Sequence, residues 1–255
     1  MAAGFDAGAE IAAVERRLRA LGSAAGAAGA KAYMKSALQF HGVGAGGVRA
    51  TAAEVLARHP ELTRAQLRAL VDAAYRTDFF DLRSVGIGML EKRHRLLERA
   101  DLPWLIGLAR ASACWAHVDW LAAKVVEPVL LRTAPDLKEI STWAKDEDFW
   151  VRRTALLAQL DELRAGRGDF QLFARIAAPM LGEQEFFIRK AIGWVLRDVS
   201  RRRPELTFEF LKAHPGEPSG LTFREASRRL PEAMRRALQP PAPRAGAARR
   251  ARARA

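Results

Sequence analysis

Four side chains hold the chemical interest of this sequence: Trp115, Asp119, Arg153 and Trp194. A carboxylate and two electron-rich indole faces are groups that stabilise a positive charge. An arginine can grip a phosphate or a carboxylate through two parallel hydrogen bonds. An interval in the sequence brings the four into register. Phe80, Trp115, Trp150 and Phe187 are separated by 35, 35 and 37 residues, and they introduce the similar stretches DFFDLRSVGIGML, ACWAHVDWLAAKV, DFWVRRTALLAQL and EFFIRKAIGWVLR. Counted from these aromatics, Asp119 falls at +4, Arg153 at +3 and Trp194 at +7. At about 100° per residue they project at roughly +40°, −60° and −20° from the aromatic itself. Successive repeats therefore aim Trp115, Asp119, Arg153 and Trp194 in a similar direction, as a site would. Structural explanations stand beside that reading. A tryptophan at a repeat position packs, and Asp119, between Val118 and Trp120 in an apolar helix, could be a buried acid paired with an arginine or capping a neighbouring helix.

A fixed period of this length is the signature of a helical solenoid, whose units bury their apolar faces only by stacking on one another. The fold expected is all-α, a curved array of about six HEAT-like helical pairs. The clearest predicted helices run Thr63 to Thr77, Phe79 to Arg93, Trp115 to Val126, Phe149 to Leu163 and Phe186 to Val199. Pro60, Pro103, Pro128, Pro135, Pro204 and Pro231 fall near expected boundaries, since proline cannot continue a helix interior. No segment alternates with period two, so almost no strand is expected. Residues 1–30 divide into a helix built on Ile11, Val14, Leu18 and Leu21, stopped by Gly22, and a connector, SAAGAAGA, that reads as flexible. The repeat domain spans 31–238. Residues 239–255, with five arginines and no acid, read as a disordered basic tail.

The chain of 255 residues is 49% apolar and has a formal net charge of +13, which favours a polyanionic partner. No apolar run is long enough to span a membrane, and no basic segment followed by an apolar stretch marks a secretory signal. The single Cys114 excludes a disulfide framework and a multi-cysteine metal site, and fits a reducing cytosol. His41, His59, His94, His117 and His214 have no ligand spacing, and His117, two residues from both Trp115 and Asp119, points elsewhere. GVGAGG lacks the Lys-Ser/Thr ending of a phosphate-binding loop. No metal or organic cofactor is expected.

WAHVDWLAAKVV, DFWVRRTALLAQL, KAYMKSALQFHGV and above all EFFIRKAIGWVLRD followed by REA resemble the HEAT-like-repeat DNA glycosylases of bacterial alkylation repair, the AlkD branch being the nearer. The resemblance covers roughly Ala32 to Leu230. It implies an active site of Trp115, Asp119, Arg153 and Trp194, with Tyr33 an aromatic of the same cleft. It also implies action on double-stranded DNA without a deep base-flipping pocket; an isolated solenoid with polar ends would work as a monomer, and the expected location is cytoplasmic, with the nucleoid. The family carries proline and paired basic residues where this chain reads GVGAGGVRA, so a DNA contact near Gly42 to Arg49 does not carry over.

The residue types suit such a reaction. A purine alkylated at N3 or N7 is cationic and leaves readily, its charge passing to the sugar as an oxocarbenium-like centre. Asp119 would face that centre and orient water, and Trp115 and Trp194 would lend their rings. Arg153 would hold a phosphate. Arg152 is the alternative, but Arg153 shares the face of Asp119 and Trp194. Arg83, Arg153 and Lys190 at +3, with Arg152 and Arg189 at +2, would form a basic stripe tracking phosphates along the concave side. Two other classes stay open: a non-catalytic DNA-binding solenoid, and a scaffold for an acidic protein.

Overall fold

Ser23, Thr63, Asp148, Asp169 and Ser219 each stand immediately before a helix and accept one of its free N–H groups. Thr63 and Gln66 complete a reciprocal capping box. The computed structural model describes residues 5–238, and the expected basic tail lies outside them. The helices are α1 (Ala7–Leu21), α2 (Ala24–Met34), α3 (Ala45–Arg58), α4 (Arg64–Tyr75), α5 (Phe80–Arg93) and α6 (Leu102–Ala111). They continue as α7 (Trp115–Leu121), α8 (Glu127–Thr133), α9 (Lys138–Trp143), α10 (Phe149–Leu157) and α11 (Leu160–Arg164). The array closes with α12 (Phe170–Ala177), α13 (Phe186–Val199), α14 (Pro204–Ala213), α15 (Gly220–Ser227) and α16 (Glu232–Leu238).

Helices α3, α5, α7, α10, α13 and α15 pack side by side in that order as one layer. Helices α1, α4, α6, α9, α12 and α14 back them. The seam between the layers is filled by fully buried Leu67, Leu70, Leu90, Val118, Leu121, Ala155, Leu156, Ile192 and Val195. This is the expected all-α HEAT-like array. Among the described residues no helix is long and apolar enough to cross a membrane. The pairing of extended backbone they contain is one isolated parallel bridge, Gln39 with Phe79.

Three local expectations need correction. The flexible connector is helix α2. Ser23 caps it, alanine is the best helix former, and Gly26, like Gly22 before the cap, serves close packing. A Cβ on Gly22 would lie 1.9 Å from the His41 carbonyl oxygen, and one on Gly26 would lie 2.6 Å from that of Gly42. Pro128 is not a boundary either, because the chain stays helical from Trp115 to Thr133. A π-helical turn at Ala122–Val126 widens the helix just ahead of the proline, where an N–H is missing. The helix predicted from Phe149 to Leu163 breaks after Leu157. There the carboxylate of buried Glu127 accepts the backbone N–H groups of Asp161 (3.0 Å) and Glu162 (2.9 Å), which start α11 anew.

Candidate active site

The start of α7 is held by groups behind it. Arg83 donates from Nε to the Thr77 carbonyl (2.9 Å) and from Nη1 to the Ala111 carbonyl (2.8 Å). Tyr75 shares a hydrogen bond with Ser112 (3.1 Å), whose hydroxyl also bonds the Leu108 carbonyl (2.8 Å). Ala113 then takes a left-handed conformation, φ 48°, and Ser36 donates to its carbonyl at 3.4 Å. Lys35, beside Ser36, is also left-handed at φ 50°. Each such non-glycine residue costs on the order of 1 kcal/mol, so the α2–α3 loop and the α6–α7 turn are fixed by their surroundings. What they fix is an aromatic pair. Trp115, half-buried at the first position of α7, meets the edge of Tyr33 with ring centroids 5.7 Å apart and planes at 73°. Tyr33 is 69% exposed.

One turn further along α7 stands Asp119, and α10 presents Arg153 to it. Arg153 Nε donates to Oδ1 at 2.7 Å and Nη2 to Oδ2 at 2.9 Å, a fork-to-fork pair. A third donor, Nη1, bonds the Phe187 carbonyl at the start of α13, and the guanidinium carbon lies 5.8 Å from the Phe187 ring. One arginine thus ties three successive repeats. Its side chain is 3% exposed, that of Asp119 13%. Burial pushes the Asp119 carboxyl above the ordinary carboxylate range, and the charge and hydrogen bonds of Arg153 oppose that shift. Arg153 therefore turns its donors inward, onto the largely buried Asp119 carboxylate and the Phe187 carbonyl. The structural explanation for Asp119 and the chemical one meet in the same ion pair.

Trp194, half-buried on α13, donates its indole N–H to Asp198 one turn on at 3.1 Å. It lies two turns along the helix from Phe187 and shares its projected face, and among the described residues its indole bonds Asp198 rather than Asp119. The expected basic stripe is not a free one. Arg83 is buried in the bonds just given. Arg152 grips Glu183 with two 2.9 Å bonds. Arg189 bonds the Glu183 carbonyl at 2.6 Å and Gln184. Lys190 pairs with Glu225. Arg83, Arg152 and Lys190 recur because each repeat uses them to hold the next, while Arg189 ties down the turn before its own helix, and such constraints produce the same periodicity as a phosphate track. Sequence reasoning missed the role of Phe187, whose carbonyl completes the Arg153 cage and whose ring packs on Trp150 at 4.8 Å. The signal was present: both residues are period aromatics.

His117 points away from the site, as its position predicts. Its ring stacks on Phe80 (4.2 Å) and bonds Ser84 at 2.8 Å. Burial, reinforced by the charge of Arg83, lowers its pKa to about 3. Between 6.5 and that value the unfolded chain takes up a proton that the folded site refuses, so stability falls as pH falls through this window. From pH 6.5 to 5 the loss from this group is about 2 kcal/mol. Urea unfolding at the two pH values should detect it, and His117→Phe, which keeps the stack, should flatten the dependence. An equally steep dependence in the variant would assign the loss to other groups.

Among the described residues no cluster of His, Cys, Asp and Glu is arranged to hold a metal ion. Residues 14–230 match the family described as DNA alkylation repair enzyme. No curated protein sequence matches the chain significantly. Among solved structures, a predicted DNA alkylation repair enzyme from Enterococcus faecalis superposes with a TM-score of 0.76 at 25% identity, over 83% of this chain and 97% of that one. AlkD2 from Streptococcus mutans gives 0.64 at 17% identity, over 88% and 99%. The alkylpurine DNA glycosylase AlkC of Pseudomonas fluorescens, bound to DNA containing an abasic site analog, gives 0.53 at 17%, over 87% and 60%. The last two likenesses concern the fold.

Proposed function

The chain belongs to the DNA alkylation repair enzyme family, and from that premise we propose that it is a monofunctional DNA glycosylase that releases cationic N3- or N7-alkylated purines from duplex DNA. The observation that carries this reading is the Asp119 carboxylate, 13% exposed and held by Arg153, one turn along α7 from Trp115, whose ring pairs with Tyr33 of α2. Such a lesion needs no general acid, because loss of the base neutralises it. The sugar gains positive charge, and an anion beside it lowers the barrier.

The ion pair acts as a dipole with its negative end outward. A unit positive charge about 4 Å from the carboxylate and roughly 8 Å from the guanidinium gains about 4 kcal/mol from the first and loses about 2 kcal/mol to the second, at an effective dielectric near 20. The remaining 2 kcal/mol or so corresponds to about 30-fold in rate if it develops only in the transition state. Asp119 also accepts a hydrogen bond from the attacking water and so orients it. Trp115 and Trp194 add aromatic faces worth about 0.5–2 kcal/mol each where charge develops. Arg153 acts here on the carboxylate rather than on the DNA backbone. Neutral lesions such as uracil, which need help to leave, gain little from these groups.

The direct test is incubation of the purified protein with duplex DNA containing N7-methylguanine, followed by detection of free base. Release of that base with uracil-containing duplex left intact is the expected result. Tight, salt-sensitive duplex binding with no release would favour a non-catalytic DNA-binding solenoid. Absence of salt-sensitive DNA binding would favour a scaffold for an acidic protein.

A further inference from the structure

A second arginine, Arg49, is in a situation opposite to that of Arg153. On α5, Gly88 leaves a gap over which α7 lays the indole of Trp120: a Cβ there would stand 3.5 Å from Cη2 of that ring and 3.1 Å from the Ala52 side chain of α3. The indole N–H donates to Glu91 Oε2 at 2.8 Å, which fixes the ring in its plane. Over its face sits the guanidinium of Arg49, from α3, with Cζ 4.9 Å from the ring. The Arg49 side chain is 58% exposed, and its approach to Glu91, 3.9 Å, is too long for a hydrogen bond. Among the described residues Arg49 donates no hydrogen bond at all. Arg83, Arg152, Arg153 and Arg189 all turn donors onto the protein.

The position matters as much as the freedom. Trp120 follows Asp119 directly and lies about 100° round the helix from it. Trp120 is half-buried, as is Ala116 one turn before it, and Lys124 in the following π-helical turn is exposed. A guanidinium over an indole face keeps its planar fork, and with its donors uncommitted and its side chain 58% exposed Arg49 can meet a two-pronged acceptor. Glu91 holds a compensating charge close by without occupying that edge.

We propose that Arg49, held over Trp120, is a phosphate clamp that grips the DNA backbone next to the helix carrying Asp119, with Glu91 as its counter-ion when no DNA is bound. The proposal rests on the DNA-binding part of the function given above and not on the base-release step. It assigns a backbone contact to a segment, GVGAGGVRA, whose sequence departs from the family pattern. Its ligand is a phosphodiester, since a planar fork on an aromatic support matches two phosphate oxygens and the chain has a formal net charge of +13.

The experiment is binding of a fluorescent, lesion-free duplex across a salt series, with base release from N7-methylguanine duplex scored separately for the wild type. Arg49→Ala should weaken binding roughly 3- to 10-fold near 0.1 M salt and reduce the salt slope by about one counterion. Arg49→Lys should keep the slope but recover only part of the affinity, because the charge remains and the flat fork is gone. Glu91→Gln, which still accepts the Trp120 N–H, should tighten binding by roughly 2- to 3-fold. An unchanged slope in Arg49→Ala, or weaker binding in Glu91→Gln, overturns the clamp. A wild type that binds DNA with the expected slope but releases no base removes the glycosylase reading and leaves the clamp standing. A wild type without salt-dependent duplex binding removes both.

Discussion

Asp119→Asn should lower base release at saturating protein by at least about 30-fold, the equivalent of the roughly 2 kcal/mol assigned to its outward-facing charge. Duplex binding should be unchanged or tighter, because the substitution removes an anion next to phosphates. The ion pair complicates a simple reading. An asparagine offers one acceptor where Arg153 needs two and turns an N–H₂ toward a donor. The buried guanidinium then loses its counter-charge, at a cost of about 3–5 kcal/mol of stability. A double variant, Asp119→Asn with Arg153→Gln, separates the two effects. It replaces the charged pair by two amides that hydrogen-bond to each other, so most of the stability should return. Base release should not return with it. If the double variant regains both, the carboxylate is a structural acid and the chemistry belongs to another group.

What the sequence disclosed depended on which constraints act at a distance of one repeat. The spacing of Phe80, Trp115, Trp150 and Phe187 is set by stacking, and stacking is also what the array consists of, so the all-α solenoid could be read directly. Asp119 and Arg153 were legible for the same reason: their 34-residue separation places them on adjacent helices, where they bond. The partner of Arg153 was not legible. Projection onto a helical face gives a direction but no depth, and at 3% side-chain exposure Arg153 faces a carboxylate instead of solvent. The same loss of depth produced the basic stripe. Arg83, Arg152 and Lys190 repeat because Ala111, Glu183 and Glu225 in the next units need them. Arg49 could not be found by any period, since its support, Trp120, lies across two helices and depends on the absence of a side chain at Gly88. The π turn at Ala122–Val126 was hidden because a proline normally marks an end, and only the widened backbone shows that it does not here.

Arg153→Gln should have a signature that distinguishes support of a carboxylate from contact with DNA. Burial already holds the Asp119 carboxyl above its usual range, and Arg153 is the group that opposes the shift. With the guanidinium gone, only the raising influence of burial remains, so the folded-state pKa moves further up. In the proposed mechanism base release requires the ionised form. Its acid limb should therefore shift to higher pH in the variant, with the rate recovering as pH rises through the new value. Once Asp119 is ionised there, its field is no longer offset by a positive neighbour, and the plateau rate should match or exceed that of the wild type. Arg153→Lys, which keeps the charge but not the fork, should leave the limb near its original position. A phosphate contact predicts a different pattern: weaker duplex binding, a salt slope reduced by about one, and an unchanged pH profile at saturating protein. Observation of that second pattern would return Arg153 to the DNA backbone and require the ion pair with Asp119 to open on binding. The pH profile decides between them, because only a residue acting through Asp119 can move the protonation of Asp119.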